Sequence, residues 1–187
     1  KKVTCSHYTA CAKSHSACVI KNNQDLKDSY SVYTWGSGFN GKLGHNGSQD
    51  SYEPKVVEEL EMKFNEAQSR KLYFIKVALG EEFSIALDEC GKLWGWGKKK
   101  YLPGLGSDPE GKAENPIPLL EKKTFKFIAA KGNYASAITI NGEMYSWGEI
   151  IVEDNILKYD FNEVSNEKMV FVSVGFNHCG SIDLSYQ

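Results

Sequence analysis

The apolar positions of this chain fall in short β-branched and aromatic runs, each closed off by Gly, Asn or Asp. That pattern predicts strands and hairpins rather than long amphipathic helices. Asn141-Gly142 and Cys90-Gly91, with the polar residues before them, read as turns joining paired strands. One segment tempts a helix, VVEELEMKFNEAQSRKLYF from Val56 to Phe74, and its charge suits a solvated excursion between strands.

The runs repeat. Ser31-Val-Tyr-Thr-Trp-Gly36, Lys92-Leu-Trp-Gly-Trp-Gly97 and Glu143-Met-Tyr-Ser-Trp-Gly148 share one ending. Upstream of the second and third, Val77 to Gly91 and Ile128 to Gly142 align without a gap, and further copies occur at Thr9 to Ile20 and Val172 to Asp183. His15, Phe83, Tyr134 and His178 then occupy one equivalent position, separated by 68, 51 and 44 residues. Such a period suits propeller blades and is long for helical repeats of about 34 to 47 residues. The expected fold class is therefore all-β, a β-propeller.

The stretch VYTWGSGFNGKLGHNG (Val32 to Gly47), followed by Pro54 and Val56-Val57, resembles the repeats of the regulator of chromosome condensation family. The resemblance implies four-stranded antiparallel blades around a central axis. About three to four blades are present of a ring that numbers seven in that family, so the propeller is partial or degenerate. It also implies a single repeat domain over residues 1–187, with repeats at approximately 1–36, 37–97, 98–148 and 149–187. The pattern is broken where Ala12 and Lys131 replace glycine, and where Phe83 and Tyr134 replace histidine. It is broken again after Gly148, where EIIVEDNILKYD stands in place of a Gly-rich loop.

Composition narrows the function. The net charge of −2 gives no global attraction to nucleic acid or anionic membrane, and of the 22 basic residues only Arg70 is an arginine. Bidentate recognition of phosphate or guanine depends on the guanidinium fork, so nucleic acid and chromatin are disfavoured as partners. No run of 18 or more apolar residues occurs, and no membrane partner is expected. An odd count of five cysteines points to a reducing, intracellular setting, nuclear or cytoplasmic. The chain opens at Lys1 without a methionine, and the expectation is that a leader or a larger parent protein precedes it.

Several motifs invite chemistry and are better read as structure. CSHYTACAKSHSACVI offers Cys5, His7, Cys11, His15 and Cys18 as zinc ligands. Strand side chains alternate between faces, Cys11 and Cys18 have opposite parity, and tetrahedral coordination needs four converging ligands. No metal is expected there. Gly36-Ser-Gly38-Phe-Asn-Gly41 spells a dinucleotide fingerprint, but turn formers follow it where a helix N-terminus would have to hold the pyrophosphate. Trp35, Trp96 and Trp147 repeat at one blade position and read as packing, with Trp94 unmatched. Lys98-Lys-Lys100 and Glu121-Lys-Lys123 read as solvated loops diluted by Asp108, Glu110 and Glu114. His45 and His178 lack a Ser, Cys or carboxylate relay.

No catalytic, cofactor-binding or metal-binding residue is assigned. The expected role is a non-enzymatic protein-interaction module of a larger protein, using the insertions at 21–30, 58–70 and 98–115. The alternatives drawn from the resemblance are a guanine-nucleotide exchange factor for a small Ran-like GTPase and a chromatin-associated regulator. Because the chain ends partway through a repeat, self-association through open blade edges is also expected.

Overall fold

The computed structural model describes residues 6–22, 29–65, 70–105, 108, 111–152, 155–163, 167–176 and 178–183. Its strands form three four-stranded antiparallel sheets, each built in chain order, and a final pair. The first sheet is β1 (Ser6–Cys11), β2 (His15–Asn22), β3 (Ser29–Gly36) and β4 (Ser51–Val56). A short hairpin, β5 (Phe64–Asn65) and β6 (Arg70–Lys71), precedes the second sheet. That sheet is β7 (Phe74–Leu79), β8 (Phe83–Asp88), β9 (Leu93–Lys98) and β10 (Lys112–Leu119). The third is β11 (Phe125–Lys131), β12 (Asn133–Thr139), β13 (Met144–Val152) and β14 (Asn155–Glu163). The last pair is β15 (Met169–Val174) and β16 (Cys179–Asp183).

The first strands β1, β7, β11 and β15 touch in succession, so the sheets fan out from a common inner edge. This is the blade arrangement that the repeats predict: three complete blades and half of another. Each blade takes its fourth strand from the segment after its Trp-Gly ending, so sheets are offset from the sequence repeats. Where the Gly-rich loop is missing after Gly148, the β-branched run Ile150-Ile-Val152 simply lengthens β13, and β14 returns as a hairpin.

Apolar side chains fill the gaps between blades. Ala17, Val19 and Val32 of the first sheet meet Val77, Leu79 and Trp96 of the second. Ile85, Leu87 and Leu93 meet Ile128, Ala137 and Trp147 of the third. Ile138 and Met144 meet Met169 and Val172 of the half-blade. Trp96 is 0% exposed and Trp147 3%, whereas Trp35 is only half-buried. The three are equivalent in register, opposite Ser84, Ala135 and Ser16 respectively. Each faces the preceding blade, and no described sheet lies before the first. Cys11 is exposed for the same reason, although its equivalent Leu79 is buried.

The helix-tempting segment forms one helical turn, α1 (Glu58–Glu61), before the short β5–β6 hairpin. It is less solvated than its charge implies, because Val57, Leu60 and Leu72 are buried and pin it to the first inter-blade core.

The glycine of each Trp-Gly ending is a backbone requirement. Gly36, Gly97 and Gly148 have φ of 105°, 105° and 109°, a region that side chains disfavour. A Cβ on Gly97 would lie 2.5 Å from the Glu82 carbonyl oxygen. Gly97→Ala is expected to cost about 2–3 kcal/mol through strain and backbone displacement. An unchanged urea midpoint would refute this.

Candidate interaction faces

Because strands run alternately up and down in chain order, their connections divide between two faces. One face carries the turn from first to second strand and the connection from third to fourth. The other carries the turn from second to third strand and the crossover to the next blade.

On the first face, the connection after Gly36 is a clamp. Phe39-Asn-Gly41 makes a three-residue 3-10 turn, in which Asn40 takes a left-handed φ of 62°. The following residues then enter the second blade. The Lys42 carbonyl oxygen accepts the Trp96 indole N–H at 2.8 Å and the Ser84 hydroxyl at 2.7 Å. Lys42 itself is 4% exposed; its ammonium donates to Ser14 Oγ at 2.8 Å and to the Glu81 carbonyl at 3.3 Å. Burial lowers its pKa, against the pull of Glu82 and Glu81. Thr34 donates its hydroxyl to the Leu43 carbonyl at 2.6 Å, and His45 Nε2 lies 2.9 Å from Thr34 Oγ1, placed to donate to it. Burial and Lys55 lower the His45 pKa. At the next junction, Trp147 donates its indole N–H to the Tyr101 carbonyl at 3.1 Å. Trp35 has no such acceptor among the described residues.

His15 Nε2 lies 3.1 Å from Ser84 Oγ, which resembles a base beside a nucleophile. Two features remove that chemistry. Ser84 spends its proton on Lys42, so the imidazole must be the donor in this bond, and both side chains are sealed at 2% and 0% exposure. The pair is an inter-blade strut. His15 Nδ1 is buried without a partner, and burial, aided by the Lys42 charge, lowers the His15 pKa to about 3.

Charge on this face is compensated. Lys98 pairs with Glu82 at 3.5 Å, Lys99 with Asp108 at 3.6 Å, and Lys100 with Glu149 at 2.9 Å. The basic run 98–100 is thus neutralised within the fold, and no phosphate-binding surface is left there.

The second face is built differently. Tyr30, at the start of β3, packs edge-on against Tyr73, just before β7, at 5.4 Å. Glu59–Lys63 and Glu61–Lys71 ion pairs brace the crossover, while Met62 is 70% exposed. Asp88 organises the neighbouring turn. Its buried carboxylate accepts the Cys90 and Lys92 backbone N–H groups and the Trp94 indole N–H, each at 2.9 Å. Burial raises its pKa while those bonds oppose the rise. This accounts for the unmatched Trp94. Lys123 donates to the Tyr145 hydroxyl at 2.6 Å and pairs with Glu143 at 3.6 Å.

The sequence-derived candidates therefore do not converge. The described parts of the 98–115 insertion lie on the first face and those of the other two on the second, with residues 23–28, 66–69, 106–107 and 109–110 outside the described residues. Cys5 and the side chain of His7 are also outside them, Cys18 is buried, and His15 is committed to Ser84. The Gly36–Gly41 fingerprint ends in a 3-10 turn, Phe39–Gly41, and turns rather than a helix follow it. His178 is exposed in the β15–β16 turn. What the sequence reading missed was the Lys42 clamp. Its only outward sign is the pairing of Ser84 with Trp96, two donors aimed at one backbone oxygen.

Radiating four-stranded sheets, wired in chain order and tied by indole-to-carbonyl bonds, define a β-propeller repeat protein. Residues 31–87 match the family described as the Regulator of chromosome condensation (RCC1) repeat. The human E3 ubiquitin-protein ligase HERC2 is 33% identical over 125 residues, covering 66% of this chain and 2% of that protein. The Ultraviolet-B receptor UVR8 of Arabidopsis thaliana is 26% identical over 163 residues, covering 82% of this chain and 35% of the receptor. Two solved structures share the fold. Human WBSCR16 superposes with a TM-score of 0.70 at 16% identity, covering 95% of this chain and 45% of that one. Yeast RCC1 (Prp20), solved bound to Kap60, gives 0.68 at 21%, covering 96% and 42%. The chain spans less than half the length of each of these proteins.

Proposed function

We propose that the chain is a non-enzymatic protein-interaction module of a larger intracellular protein, nuclear or cytoplasmic. The observation that carries this reading is the Ser84–His15 pair. The arrangement that most resembles catalytic machinery is consumed in holding two blades together. The blades form a rigid frame, and the connections present side chains such as Phe39 on the first face and Met62 on the second, 62% and 70% exposed. The exposed edge of β16 offers a further route, strand pairing with a second copy or with more of the same protein.

A second reading is guanine-nucleotide exchange on a small Ran-like GTPase, or a chromatin-associated role. The structure of Prp20p from Saccharomyces cerevisiae, reported with its binding to Gsp1p and histones, favours it. The two readings separate experimentally. The 187-residue chain is expected to leave release of fluorescent nucleotide from a Ran-type GTPase unchanged. Partner capture in cells is expected to fall at least tenfold with Met62→Glu or Phe39→Glu, at unchanged melting temperature. Accelerated release at substoichiometric protein, or capture indifferent to both variants, would overturn the proposal.

A further inference from the structure

Each inner strand breaks register at the same place. The breaks lie between Ser6 and Tyr8, Phe74 and Lys76, Phe125 and Phe127, and Met169 and Phe171. Such bulges re-aim side chains and recur near functional sites. Here they make Tyr8, Lys76, Phe127 and Phe171 equivalent around the inner edge: three aromatic residues and one lysine. Phe127 and Phe171 meet at 5.0 Å between ring centroids with their planes tilted by 58°, and the Lys76 ammonium sits 3.2 Å from the Phe127 centroid. The inner strands enclose a groove of about 290 Å³, open along its length, in which small residues such as Ala78 and Ala129 follow the aromatic row.

Lys76 is the one charged residue lining that groove among the described residues. Its equivalents elsewhere in the repeat are aromatic, so the charge is peculiar to this blade. Unlike Lys98, Lys99 and Lys100, which pair with carboxylates, it rests on a ring face. Burial lowers its pKa to about 8, with no charged neighbour contributing. A half-buried ammonium facing aromatic walls is matched by an anion that brings its own apolar surround.

We propose that this inner groove is a binding site for an acidic side chain flanked by aromatic or aliphatic residues on a partner chain, with Lys76 as its counter-ion. The groove is open and lined by segments of four inner strands. This favours an extended segment over a free small acid, which would remain largely solvated. The inference rests on the interaction-module reading and specifies one of its contacts.

The test uses the intact 187-residue chain and the peptides acetyl-Phe-Asp-Phe-amide and acetyl-Phe-Asn-Phe-amide, with 4-phenylbutyrate as a free-acid arm. The Asp peptide is expected to bind at least tenfold more tightly than the Asn peptide. Lys76→Met should abolish that preference, Lys76→Arg should retain it, and Lys13→Met should leave it unchanged. Thermal melting checks that each variant is folded. Equal binding of the two peptides, a preference that survives Lys76→Met, or binding of 4-phenylbutyrate alone would overturn the assignment. Loss of the peptide effect with partner capture still sensitive to Met62→Glu would remove this site and leave the broader function standing.

Discussion

Trp96→Ala is expected to destabilise the protein by about 3–5 kcal/mol, the range for deleting a fully buried aromatic side chain. Trp96 has no exposed surface, packs against Val77 and Leu79, and supplies one of the two donors to the Lys42 carbonyl. Its loss leaves a cavity at the junction of two blades and weakens the clamp between them. Trp96→Phe keeps most of the volume and leaves Ser84 on the carbonyl, so it should cost about 1–2 kcal/mol. Trp35→Ala is the internal control. That indole occupies the same repeat position but is half-buried and has no carbonyl to bind among the described residues, and its removal should cost about 1 kcal/mol. Urea midpoints of the three variants decide the matter. Equal losses at Trp35 and Trp96 would mean that inter-blade clamping contributes little.

Acid should weaken the fold through His15. In the unfolded chain its imidazole titrates near 6.5, while in the folded protein burial and the Lys42 charge hold the pKa at about 3. The unfolded state therefore binds the proton first. Stability is at its full value above pH 6.5 and is lost progressively as the pH falls toward 3, at about 1.4 kcal/mol per unit. Between pH 7 and pH 4 that amounts to about 3 kcal/mol. The physical reason is that a proton on Nδ1 would have no acceptor in its buried site. His15→Phe places at this position the residue that Phe83 supplies in the next blade, and should flatten the acid limb of the stability profile. If wild type and His15→Phe lose stability in parallel between pH 7 and pH 4, His15 is not the sensor.

Local rules made much of the architecture visible in advance. The Trp-Gly endings marked the third strand of each sheet, and Asn141-Gly142 and Cys90-Gly91 proved to be turns, with Gly142 and Gly91 at positive φ. Those features depend on a few neighbouring residues, which is why periodicity and turn chemistry found them. Lys42 shows the limit. A lysine in a glycine-rich loop reads as solvated, yet it is buried because its backbone oxygen is needed one blade away. The bulges that align Lys76 with three aromatic residues leave no mark in hydrophobic patterning, since they alter register without altering composition. The second-face crossover is intermediate: its charge was evident, but the anchoring by Val57, Leu60 and Leu72 needed the neighbouring sheet to be seen.

The Lys42 clamp bears on how such a protein can diversify. A segment whose carbonyl must meet a fixed tryptophan and serine cannot lengthen without letting two blades part, so the connection after Gly36 is closed to insertion. The hairpin between β2 and β3 and the crossover between β4 and β7 lie on the opposite face, and two of the three inter-repeat insertions fall there. New sequence can therefore accumulate there while the clamp keeps its geometry. Grafted recognition loops should accordingly be tolerated in the β2–β3 hairpin and the β4–β7 crossover but not at 41–44.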